Sequence, residues 1–172
     1  MQKEEINVLL DQMCEDIACL EGSKNSNINK EFIADLAKLV EVDNILDYVI
    51  DKMKTQEVPY LDELLCYFVN IDGISLSEKQ MKKLISITKK PHIYSEEDII
   101  YCIIQSVDTK LSKAIIRKIA SSLQYGAEEF FSNYIDLLWN NIFKDDITED
   151  QKEEARRIYE ETKDWFFDEG WL

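Results

Sequence analysis

Residues 95–123 read SEEDIIYCIIQSVDTKLSKAIIRKIASSL, two short amphipathic helices separated by a turn at Val107-Asp108. The stretch decides the fold because it recurs. A slide of about 35 residues sets Leu64, Leu65, Phe68 and Val69 on Ile99, Ile100, Ile103 and Ile104. The same slide sets Met81, Lys82, Lys83 and Leu84 on Ile116, Arg117, Lys118 and Ile119. One slide further, Ile99, Ile100, Ile103 and Val107 meet Tyr134, Ile135, Leu138 and Ile142. A constant period with a fixed apolar phase predicts an array of helical hairpins.

Working outward, helical periodicity continues in both directions. A first helix is expected over about residues 3–20, with Ile6, Leu9, Leu10, Met13, Ile17 and Leu20 on one face. After the polar run EGSKNSNIN, Asn27 or Asn29 caps a second helix carrying Phe32, Ile33, Leu36, Ala37 and Val40. Asp43 opens a third, with Ile45, Leu46, Val49, Ile50 and Met53 inward and Asp47 and Asp51 outward. Pro59 suits the first turn of a fourth helix, and Gly73 suits the chain beyond its end. Ser77-Glu-Lys-Gln80 is a capping box for the fifth helix, which Pro91 stops. Ser95 starts the sixth, with Asp98 as a weaker form of the same box; Asp108 starts the seventh, and Gly126 ends it.

The eighth helix, 127–143, is the most apolar, with Phe130, Phe131, Tyr134, Ile135, Leu138, Trp139 and Ile142. Thr148-Glu-Asp-Gln151 is a second capping box, opening a ninth helix to about residue 167 with Ala155, Ile158, Tyr159, Thr162, Trp165 and Phe166 inward. No segment alternates with period two. The reading is therefore an all-α chain: a stack of antiparallel helical hairpins, an α-solenoid of about nine helices in one domain. Residues 1–26 form its N-terminal capping helix and loop, 27–143 its hairpins, and 144–172 an atypical acidic helix with an aromatic tail. Helices two to nine pair in order as four hairpins.

Composition narrows the function. The 172 residues carry a net charge of −15 and are 45% hydrophobic, which predicts a folded acidic protein rather than a disordered tail. The charge is uneven: residues 1–76 hold 16 acids against 6 bases and 145–172 hold 11 against 4, while 77–125 hold 9 bases against 5 acids. Nucleic acid is a poor partner for such a molecule, and a basic protein a good one. Neither an apolar run long enough for a membrane span nor a secretory leader is read, so a cytoplasmic location is expected.

Catalytic signatures are missing. The chain has no Gly-rich phosphate loop, no G-x-S-x-G and no H-E-x-x-H. The carboxylate pairs Glu128-Glu129 and Asp145-Asp146 read as solvated helix faces, and His92, after Pro91, as a surface histidine. Cys14, Cys19, Cys66 and Cys102 lack metal-ligand spacing, and the last two read as small core hydrophobes. No enzyme activity, metal or cofactor is expected.

The binding candidates are acidic. Glu153, Glu160, Asp164 and Asp168 form a ridge opposite the apolar stripe of the ninth helix, with Glu161 alongside and Arg157 available to Glu153 or Glu161. Asp43, Asp47 and Asp51, with Glu41 nearby, form a second ridge on the third helix. In the tail, Phe167 and Trp171 fall outside the apolar stripe; Trp171 either folds back on the last hairpin or anchors a partner.

The segment Asp108-Thr-Lys-Leu-Ser-Lys-Ala-Ile-Ile-Arg117, an aspartate before a helix with a basic residue in its middle, resembles the second helix of a HEAT-like repeat. That resemblance covers roughly residues 29–167. It implies that second helices line a concave face, negative at Asp43, Asp47 and Asp51 and positive at Lys82, Lys83, Lys113, Arg117 and Lys118. In size, charge and architecture the chain also resembles immunity proteins of bacterial contact-dependent and polymorphic toxin systems. That resemblance implies a protein that occludes a basic toxin domain such as a nuclease; an intracellular scaffold binding a protein or peptide on its concave face is the alternative.

Overall fold

The computed structural model describes residues 1–21, 30–87, 93–107, 110–122 and 127–172. Among these residues every regular element is helical: α1 (Lys3–Glu21), α2 (Lys30–Val40), α3 (Ile45–Thr55), α4 (Leu61–Val69), α5 (Glu78–Ile87), α6 (Glu96–Gln105), α7 (Lys113–Ser122), α8 (Ala127–Asn141) and α9 (Glu149–Asp168). The chain divides into two compact units, Met1–Ser106 and Val107–Leu172, with the boundary inside the quoted stretch.

Helix starts follow the capping chemistry where a box is present. At α9, Gln151 N–H donates to Thr148 Oγ1 (3.3 Å) and Thr148 N–H to Gln151 Oε1 (2.7 Å). Ser77 and Gln80 exchange the same bonds ahead of α5. Ser95 Oγ accepts from Asp98 N–H at α6.

Where no box exists, the starts move. Asp43 does not open α3; Asn44 does, in the left-handed region at φ 58°. Pro59 lies before α4 rather than within its first turn, and Tyr60 takes the same left-handed conformation at φ 65°. The seventh helix begins at Lys113, where Ser112 Oγ accepts from Ile115 N–H. Asn27, Asn29, Pro91, His92, Asp108 and Gly126 lie outside the described residues.

In Met1–Ser106, α4 packs against α1, α3 and α6, while α5 packs against α3 and α6. The close sequential contacts are thus α1 with α2, α3 with α4, and α5 with α6. The expected pairing of second with third and fourth with fifth is one helix out of phase with these. The core is built from the stripes of α3 and α4, buried throughout. In α2 the stripe is rotated: Ile33 is 52% exposed and Leu39, absent from the expected face, is buried.

Among the described residues, side-chain hydrogen bonds in this unit join positions 31–38 apart, close to the period of the sequence repeat. Ser95 N–H donates to the buried Asp62 carboxylate (2.5 Å), Tyr94 OH to Gln56 O (3.2 Å) and Tyr101 OH to Asn70 Oδ1 (2.6 Å). One buried cation is also held here. Lys52, its side chain 3% exposed, meets Asp11 (3.0 Å) and Gln56 Oε1 (3.0 Å).

In Val107–Leu172, α8 and α9 form a hairpin around Phe130, Phe131, Tyr134 and Phe166, all buried. Burial pushes the Tyr134 phenol up to about 12, and its oxygen accepts from Leu111 N–H (2.7 Å). Tyr134→Phe should leave that buried N–H without an acceptor and lower stability by about 1–3 kcal/mol in a urea titration. An unchanged midpoint would mean that water reaches Leu111.

Candidate functional site

The α9 ridge is exposed as the sequence predicts. Glu153, Glu160, Glu161, Asp164 and Asp168 all face solvent. Their electrostatic states differ. Arg157 does not pair with Glu153; it turns sideways to hold Glu154 by two bonds (2.5 and 2.8 Å) and Glu161 by a third (2.6 Å). Lys110 adds a bond to Glu161 (2.8 Å), so that carboxylate is neutralised within its own unit and held below its usual range.

The remaining four carboxylates, Glu153, Glu160, Asp164 and Asp168, form no ion pair among the described residues. Their placement works against the helix. Glu160, Asp164 and Asp168 are spaced i,i+4, where like charges cost a few tenths of a kcal/mol per pair. Asp164 and Asp168 also sit toward the C-terminal end, where the helix dipole favours cations, and the last turn of α9 has none.

The aromatic tail resolves into an inner and an outer residue. Gly170, at φ 75°, takes the left-handed position beyond the helix end. Gly170 N–H donates to Phe167 O (3.1 Å) and Trp171 N–H to Phe166 O (2.9 Å), the paired bonds of a Schellman motif. This turn folds Trp171 back, stacked on Phe131 at 4.8 Å and edge-on to Trp165 at 5.1 Å. Trp165 in turn lies under the Lys113 and Arg117 cations of α7. Phe167 points the other way and is 71% exposed, one turn from Asp164 and beside Asp168. The signal for this split is Gly170: a glycine just past a helix end, followed by a large apolar residue, predicts the inward turn.

No family model, curated protein or solved structure matches this chain.

The α3 ridge is less free. Asp47 and Asp51 each accept a bond from Lys83 Nζ of α5, both at 3.0 Å, and these bonds raise the Lys83 ammonium above its ordinary value. Asp43 is exposed in the turn before α3, separate from that clamp. The 35-residue slide carries the signal, since it sets Asp47 on Lys82 and Tyr48 on Lys83.

Other surface features surround the α8–α9 hairpin. Trp139, expected in the core, is 45% exposed and makes an edge contact with Phe143 (5.1 Å) and a tilted one with Tyr159 (5.1 Å). A cleft of about 440 Å³ is lined by Leu138, Ile147, Ala155 and Ile158 together with Lys110, Lys144 and Asp150. Among the described residues no three His, Cys, Asp or Glu side chains gather as a metal-binding group, and no helix is long and apolar enough to cross a membrane.

Proposed function

We propose that this chain is a non-enzymatic acidic binding protein of the immunity type, which neutralises a basic toxin domain by occluding it. The observation that carries the reading is the α9 surface: four exposed carboxylates without an ion pair among the described residues, the last two beside the exposed Phe167. The i,i+4 series Glu160, Asp164 and Asp168 costs helix stability. Against a basic partner this surface supplies a steering field and an aromatic anchor. Phe167, rather than the inward Trp171, is the anchor in this reading.

The proposed frame is a HEAT-like α-solenoid. Its support is the match between the 35-residue sequence period and hydrogen bonds that join residues 31–38 apart in Met1–Ser106. Lys83 closes on Asp47 and Asp51, so the third-helix ridge contributes to that frame more than to the partner.

The test is a substitution that moves stability and binding in opposite directions. Asp164→Lys relieves two like-charge contacts and places a cation near the helix end, which should stabilise α9 by about 0.5–1 kcal/mol. The same change should weaken binding to a basic toxin domain recovered by co-purification with this chain by about tenfold or more, chiefly through association rate, with the effect fading at high salt. Reversing Glu160, Asp164 and Asp168 together should abolish protection. Full protection by the triple variant, in a protein that still melts cooperatively, would sink the ridge assignment.

A further inference from the structure

We infer that Cys66 and Cys102 form a built-in redox pair that closes into a disulfide joining α4 to α6. The pair is placed by helix packing: Cys66 on α4 and Cys102 on α6 lie 36 residues apart, and the fold brings Sγ to Sγ at 3.3 Å. Bond formation requires the sulfurs to approach to about 2.05 Å, and both already lie on helices packed against each other.

The two thiols have unequal access. Cys66 is half-buried, and its thiol also points toward Asp98 O at 3.7 Å. Cys102 is fully enclosed. The contact with Cys66, together with burial, pushes the Cys102 thiol far above its ordinary value, so it stays protonated. The other cysteines stand apart: Cys14 is buried on α1, where burial with Asp11 nearby pushes it up to about 12, and Cys19 is exposed.

This inequality orders the chemistry, with hydrogen peroxide as the oxidant. Cys66 gives up its proton, its thiolate attacks one peroxide oxygen and the O–O bond breaks; Cys66 becomes a sulfenic acid, and the hydroxide released takes up that proton as the first water. The Cys102 sulfur then attacks the Cys66 sulfur, and the S–O bond breaks. The departing oxygen leaves as water, taking the Cys102 proton. Two thiols and one peroxide thus give one disulfide and two waters.

The closed pair ties off a loop of about 36 residues, which in the chain-entropy account raises the melting temperature of this unit by roughly 15 °C. The inference is independent of what the α9 surface binds.

The experiment uses the full chain carrying Cys19→Ser, treated with stoichiometric hydrogen peroxide, alkylated and digested without reductant. The expected result is one cross-linked peptide pair joining Cys66 to Cys102, lighter than the two thiol peptides by two hydrogens and reopened by dithiothreitol. The oxidised protein should melt higher, and both the cross-link and the shift should vanish in Cys66→Ser and in Cys102→Ser. Accumulation of Cys66 sulfinic acid without the cross-link, a cross-link to Cys14, or an oxidised protein that melts no higher than the reduced one would each overturn the inference.

Discussion

Replacing Phe166 with alanine is expected to cost the Val107–Leu172 unit about 3–5 kcal/mol, the upper range for a core aromatic. The reason lies in how many rings depend on it. Phe166 is fully buried and contacts Phe131 (4.9 Å), Tyr134 (6.2 Å), Trp165 (5.6 Å) and Trp171 (5.7 Å). Its removal opens a cavity between α8 and α9 and withdraws the apolar partner that accompanies the terminal turn. The measurement is convenient, because all three tryptophans (Trp139, Trp165 and Trp171) belong to this unit. Tryptophan fluorescence, excited at the red edge where tyrosine does not absorb, therefore follows this unit in a urea titration. A loss below about 1 kcal/mol would mean that the cluster repacks around the gap.

The second large effect is asymmetric. Lys52 and Asp11 form one ion pair, but their side chains are 3% and 50% exposed respectively. Asp11→Ala leaves a buried ammonium with Gln56 Oε1 as its remaining contact and should destabilise Met1–Ser106 by about 2–4 kcal/mol. Lys52→Met instead removes the buried charge, fills the same space with an apolar stem and leaves Asp11 to water. Its expected cost is below about 1 kcal/mol. Helical circular dichroism during urea unfolding distinguishes the two variants. Equal losses would show that packing of the lysine stem, not the stranded charge, sets the energy.

What the sequence reveals about this chain depends on how local the determinant is. The α9 start was legible because Thr148 and Gln151 satisfy each other's backbone groups within one turn. The inward stripes of α3 and α4 were legible because wide runs of Leu, Ile, Val and Phe leave no other face to bury. The α2 face was not, since Ile33 and Leu39 are both large and apolar and only the neighbouring helices decide between them. The starts of α3 and α4 depend on left-handed residues, Asn44 and Tyr60, and a tyrosine carries no local preference for that conformation. The acidic ridges were visible as charge, and i,i+4 spacing pointed to the Arg157–Glu161 pair, but the other ion pairs were not visible. Arg157 chooses Glu154 over Glu153 through the geometry of one helix surface, and Lys83 reaches Asp47 and Asp51 from another helix altogether.

The near-constant span of the hydrogen bonds in Met1–Ser106 bears on how that unit folds. Loops of 31 and 38 residues differ in closure entropy by only about 0.2 kcal/mol, since the cost grows with the logarithm of length. Chain topology therefore gives none of these contacts a head start. Nucleation is left to whichever neighbouring helices bury the most apolar surface, and α3 with α4 is the richest such pair.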